Sequence, residues 1–164
     1  MTGQRQVSAL DQAMRLLAGR PHSEKELAAK LAARGHSGEN IAAAVRRLVE
    51  IGYLNDADYI ARWAGARLQK TNLGPAKLRV ELARKGFAPE LIEKTVEELY
   101  HEPDAEYRAA AKAAAKKLRT LKPGLEPETV KAKIYGHLTR KGFDADTARK
   151  VALDGLEDLM EHDL

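Results

Sequence analysis

The sequence predicts an all-α protein: three tandem three-helix units, helix-turn-helix-like, laid end to end as an elongated, curved array. Three observations predict it. Ala and Leu dominate, β-branched residues are sparse, and no stretch alternates with period two. The connectors are short, and each carries Gly, Pro or a capping residue. One pattern also recurs around Arg34-Gly35, Lys85-Gly86 and Lys141-Gly142, whose glycines lie 51 and 56 residues apart. Leu31, Leu82 and Leu138 stand four residues before these glycines, and Leu27, Leu78 and Ile134 stand eight before. His36, Phe87 and Phe143 follow at once, then Ile41, Ile92 and Ala148, then Val45, Val96 and Ala152.

Each copy supplies a helix with apolar residues four apart, a cationic end and a glycine stop. Cations suit the negative end of a helix, and glycine adopts the left-handed cap without a Cβ clash. The middle helices start at Ser23 with Glu26 three on, at Gly74-Pro75 and at Glu126-Pro127. The third helices start at Ser37, Pro89 and Asp144. Upstream lies a first helix: Ala13, Leu16 and Leu17 in the first copy, and Tyr59, Ile60, Trp63 and Ala66 in the second. In the third, the stripe is Tyr107, Ala111, Ala114, Leu118 and Leu121. The expected boundaries are a tail over 1–8 and units over 9–54, 55–101 and 104–164. One unit is too small to bury a sufficient core, so neighbours must pack along a line.

Composition excludes several classes of function. The 164 residues contain no cysteine, which removes disulfides and thiolate chemistry and suits a reducing compartment. No run approaches the ~18 apolar residues of a membrane span, and Met1–Val7 lacks an apolar signal core, so a cytoplasmic protein is expected. The histidines His22, His36, His101, His137 and His162 are never closer than 14 residues, so no metal site is expected. Gly35-His36-Ser37-Gly38 lacks the spacing and the strand of a nucleophile elbow, and no glycine-rich phosphate loop occurs. A non-enzymatic monomer without cofactor is the expectation.

Charge carries more information. The net +4 is modest, but it is sorted: +6 over 62–85, −6 over 90–106, +8 over 108–141 and −5 over 142–164. The candidate binding residues are therefore Arg62, Arg67, Lys70, Lys77, Arg79, Arg84 and Lys85 in the second unit. Those of the third are Lys112, Lys116, Lys117, Arg119, Lys122, Lys131, Lys133, Arg140 and Lys141. Stacked units would align them into a rim that follows a phosphate backbone or an acidic protein groove. Tyr59 and Trp63 read as core, leaving Tyr135 as the free aromatic. A competing reading is a helix-turn-helix transcription regulator, with Ser23–Leu31 and Glu39–Val49 as the helix pair and Asn40, Ala43, Ala44 and Arg47 facing outward.

Gly52-Tyr53-Leu54-Asn55-Asp56, followed by Tyr59, Ala61 and Trp63, resembles the signature of the RecX family, bacterial modulators of the RecA recombinase. The resemblance continues through Arg67, Gly74 and Glu81-Leu82-Ala83-Arg84-Lys85-Gly86. It reaches the first unit at Arg20-Pro21-His22-Ser23 and Glu26–Leu31, and is weakest in the third. Ile60, directly before Ala61, is a mild departure. The central box also makes local sense: Gly52 ends a helix, Tyr53 and Leu54 turn inward, and Asn55 or Asp56 caps the next helix. The resemblance implies a protein that binds RecA and RecA–DNA filaments, lies in the filament groove and mostly inhibits ATPase activity and strand exchange. It places the protein in homologous recombination, DNA repair and the SOS response, with weak, salt-dependent contact to DNA. The two cationic blocks would supply most of the attraction.

Overall fold

The computed structural model describes residues 7–162, with side chains through 155. Its helices are α1 (Ala9–Gly19), α2 (Glu24–Ala32), α3 (Gly38–Glu50), α4 (Asp56–Thr71), α5 (Pro75–Arg84), α6 (Pro89–Leu99), α7 (Ala105–Leu118), α8 (Pro127–Arg140) and α9 (Ala145–His162). No strand occurs among the described residues. Most of the expected tail, residues 1–6, lies outside them.

Local chemistry explains the boundaries. Ser8, Ser23, Ser37 and Asn55 each accept a backbone N–H three residues on, at 3.0–3.3 Å. Proline opens α5, α6 and α8, where a missing N–H costs nothing. Asp144 accepts the amides of Asp146 and Thr147 at the start of α9. At the other ends, the residue after a turn glycine returns its N–H to a leucine carbonyl. The pairs are His36 to Leu31, Tyr53 to Leu48 and Phe143 to Leu138, at 2.9–3.3 Å. Leu31, Leu48 and Leu138 are thereby both core side chains and the acceptors that fold the turn over them.

Three separate cores result. Ala13, Leu27, Leu31, Ile41, Leu48 and Leu54 form the first; Tyr59, Ile60, Ala64, Leu78, Leu82, Phe87, Ile92 and Val96 form the second. The third contains Ala110, Ala113, Ala114, Ile134, Leu138, Phe143, Ala148, Val151 and Ala152. All extensive helix packing falls within α1–α3, α4–α6 or α7–α9. The exposed surface is 10864 Å², against about 8,100 Å² for a compact monomer of this mass. The array is elongated.

The units meet through the ends of their middle helices. At the first junction, Ser23 Oγ caps α2 and donates to the Lys85 carbonyl at 2.5 Å, while Asp56 Oδ1 accepts the Glu24 N–H at 3.0 Å. At the second, the Gly74 and Ala76 amides donate to the Lys141 and Gly142 carbonyls at 2.8 and 3.1 Å. The C-terminus of α8 thus abuts the N-terminus of α5, and that of α5 abuts α2. The second junction joins unsatisfied carbonyls to unsatisfied amides, whereas at the first the Ser23 hydroxyl and the Asp56 carboxylate serve as the partners; both set the negative end of one helix against the positive end of another.

Some expectations need correction. Ala66 is exposed, and Ala64, one turn after Ile60, takes its core position. Tyr53 does not turn inward: it is 64% exposed, because the glycine turn sends only Leu54 into the core. Asn55 caps its own helix, whereas Asp56 reaches across to α2. Glu26 pairs with Arg20 instead of closing a capping box on Ser23.

Candidate macromolecular interface

The signature residues of the second unit form one internal lattice. Arg67 on α4 grips Glu81 on α5 with two hydrogen bonds, Nε at 2.6 Å and Nη2 at 2.8 Å. This holds the Glu81 carboxyl below its ordinary value and the guanidinium above its own. The Lys85 ammonium lies 4.9 Å from the Trp63 ring centre and 5.5 Å from that of Tyr59, and donates to the Tyr59 hydroxyl at 3.1 Å. Tyr59 meets Phe87 edge-on at 5.3 Å, and Leu82 is buried beneath. Ala61 is exposed on the outer side of α4.

Glycines at the junctions serve a different end. A Cβ on Gly74 would lie 2.3 Å from the Gly142 carbonyl carbon and the Phe143 nitrogen. On Gly86, which has φ +87°, it would meet Lys25 Cβ at 3.1 Å and Ser23 Oγ at 3.2 Å. Close backbone approach between units is what these positions provide.

The sixteen candidate cations therefore divide. Arg67 and Lys85 sit in the lattice, and the Lys141 ammonium donates to the Thr71 carbonyl at the end of α4. Arg62 pairs with Asp58 at 2.8 Å, Arg79 with Glu93 at 2.9 Å and Lys131 with Glu128 at 3.7 Å. Lys70, Lys77, Arg84, Lys112, Lys116, Lys117, Arg119, Lys122, Lys133 and Arg140 make no ion pair or hydrogen bond among the described residues. Seven of these ten belong to α7, α8 and the turn between them.

Burial, then Lys141, Lys117 and Arg140, hold His137 below its ordinary 6.5. Burial, then Lys116 and Arg67, lower Lys141, with Glu81 opposing. The sequence reading passed over His137, although its spacing of four from both Lys133 and Lys141 puts it on their helix face. Tyr135 packs partly buried against the third core, and Tyr53 is the exposed aromatic instead. Among the described residues no group of His, Asp and Glu could hold a metal ion, and no helix is long and apolar enough to cross a membrane.

The helix pair of the competing regulator reading is present as α2 and α3. Asn40, Ala43 and Arg47 face outward, but Ala44 is buried in the first unit. Where a winged domain places a hairpin, α4 begins.

Family profiles for the first, second and third three-helix domains of RecX match residues 9–48, 55–96 and 104–152 in turn. The chain belongs to the RecX family. Curated RecX relatives agree along most of their length. The "Regulatory protein RecX" of Chlorobaculum tepidum is 34% identical over 143 residues, 87% of this chain and 85% of that one. That of Chromohalobacter salexigens is 35% identical over 139 residues, covering 85% and 87%. A crystal structure of RecX from Lactobacillus salivarius superimposes with a TM-score of 0.75 at 19% identity, over 91% of this chain and 94% of that one. RecX membership makes the chain one of a family of regulatory proteins, and the RecX signature is now physically legible. Its Tyr, Trp, Arg, Glu, Lys and Gly positions build the second unit and its junctions.

Proposed function

We propose that the protein is a non-enzymatic, cytoplasmic regulator that binds RecA and its nucleoprotein filament and restrains ATPase activity and strand exchange. The observation that carries this reading is the match to all three RecX domains in order, along an elongated array. An extended chain of small units suits a helical groove, where successive units meet successive subunits. The ten cations that are unengaged among the described residues supply attraction at little internal cost, since none has an ion pair there to break. Arg67 and Lys85 are assigned to the fold instead, and the three units, over 9–54, 55–101 and 104–164, to successive contacts.

The test is co-sedimentation with preformed RecA filaments, together with filament ATPase activity. The wild-type protein should be captured and should slow ATP hydrolysis. Lys70→Gln, Lys77→Gln and Arg84→Gln combined should weaken capture by about tenfold, roughly what three moderate charge contacts supply. Unchanged capture by a folded variant would refute the role given to the second unit. Absence of wild-type capture would refute the partner.

A further inference from the structure

Where the second unit meets the third, three helices bring cations together. Lys116 and Lys117 lie in the last turn of α7, His137 and Arg140 in the last turn of α8, Lys141 caps α8, and Arg67 approaches from α4. On α8 the spacing 133, 137, 140, 141 keeps one face positive. His137 faces Lys117 from α7 and Arg140 and Lys141 from its own helix, and among the described residues no carboxylate acts on it. Among the described residues the one carboxylate that acts on Lys141 is Glu81, and Arg67 already holds both its oxygens. The cluster opposes its own assembly. Lys116, Lys117 and Arg140 have no counter-ion among the described residues, and the ordinary remedy for such a field is a polyanion.

We propose that this junction is a phosphate-backbone site for nucleic acid, formed by Lys116, Lys117, His137 and Arg140, and that its affinity rises as His137 takes up a proton. The proposal deepens the functional reading above, on which it rests for its setting, by assigning direct DNA contact to one place. Phosphates are favoured over an acidic protein surface because, among the described residues, the cluster lacks an apolar anchor. Among the described residues the large exposed apolar side chains are Val7, Met14, Val49, Ile51, Tyr53, Val80 and Leu153, and none lies on α4, α7 or α8. Protein interfaces concentrate energy in such anchors, whereas phosphate contacts need only charge and N–H donors. A phosphate beside His137 would cancel the field of Lys117, Arg140 and Lys141. The imidazole, held below its ordinary value in the free protein, would then take up a proton more readily and donate from both nitrogens.

The measurement is fluorescence anisotropy of a labelled oligonucleotide, single-stranded and duplex, with no recombinase present, across a salt series at about pH 6 and about pH 8. Lys116→Gln, Lys117→Gln and Arg140→Gln combined should lower affinity at least about tenfold and flatten the log–log salt slope by about 2–3. The charge-retaining set Lys116→Arg, Lys117→Arg and Arg140→Lys should restore both. His137→Gln should remove the gain, about fivefold, that the wild type shows near pH 6 over pH 8. Neutralising Arg15, Lys30 and Arg46 on the first unit removes the same charge elsewhere. An equal loss there would mean attraction by the whole molecule and would overturn the site. So would a cluster variant that binds oligonucleotides normally but loses capture by RecA filaments, since that outcome assigns the patch to a protein surface. Failure of wild-type filament capture would sink the functional reading alone.

Discussion

A Cβ built on Gly142 would lie 2.3 Å from the Lys77 nitrogen and 2.5 Å from Lys77 Cβ, at φ +85°. Gly35 occupies the matching turn of the first unit at φ +84°, with nothing within 4 Å. The two positions share one backbone need and differ in what surrounds them. Gly35→Ala should cost about 1 kcal/mol, the strain of a left-handed alanine. Gly142→Ala adds a backbone clash and should cost at least about 2 kcal/mol more. Thermal denaturation of both variants checks this; equal losses would show that the second junction does not need the close approach. Both turns were legible as helix stops from the sequence. The clash was not, because it depends on α5 arriving from another unit.

At the scale of elements, α8 concentrates the electrostatic tension. His137 in its last turn is held below the ordinary histidine value by burial and by Lys141, Lys117 and Arg140, and burial similarly lowers His22 before α2. Both bind fewer protons folded than unfolded, so stability rises with pH through the window just below 6.5 and falls on acidification. Glu26, Glu81 and Asp144, held low chiefly by Arg20, Arg67 and Thr147, extend that loss as pH falls below about 4.5. Asp56 and Glu106, raised by burial, act in the opposite sense. The midpoint of urea unfolding should drop between about pH 7.5 and pH 5.5, and His137→Gln should flatten that slope. An unchanged slope would contradict the role given to the α7–α8 cations. Helix positions and caps followed from the sequence with few errors. The pairing of Arg67 with Glu81 and of Lys85 with Trp63 and Tyr59 did not, because a lysine or arginine reads as solvent-facing until its neighbours are known.

For the whole molecule, separate cores and thin polar junctions imply an extended particle in solution. A compact chain of 164 residues has a radius of gyration of about 15 Å. Small-angle scattering should give a value clearly above this compact-chain figure. A value near 15 Å would mean that the units fold back on one another. By itself the sequence determined the helical class, the threefold repetition, the caps and the family. Those depend on spacing along the chain and on side-chain chemistry that acts within a turn or two. Tertiary structure alone decided which cations remain unengaged, that Tyr53 faces outward, and that the middle helices meet end to end. The end-to-end meeting depends on the approach of residues some 60–70 positions apart, Ser23 to Lys85 and Thr71 to Lys141, which no local periodicity encodes.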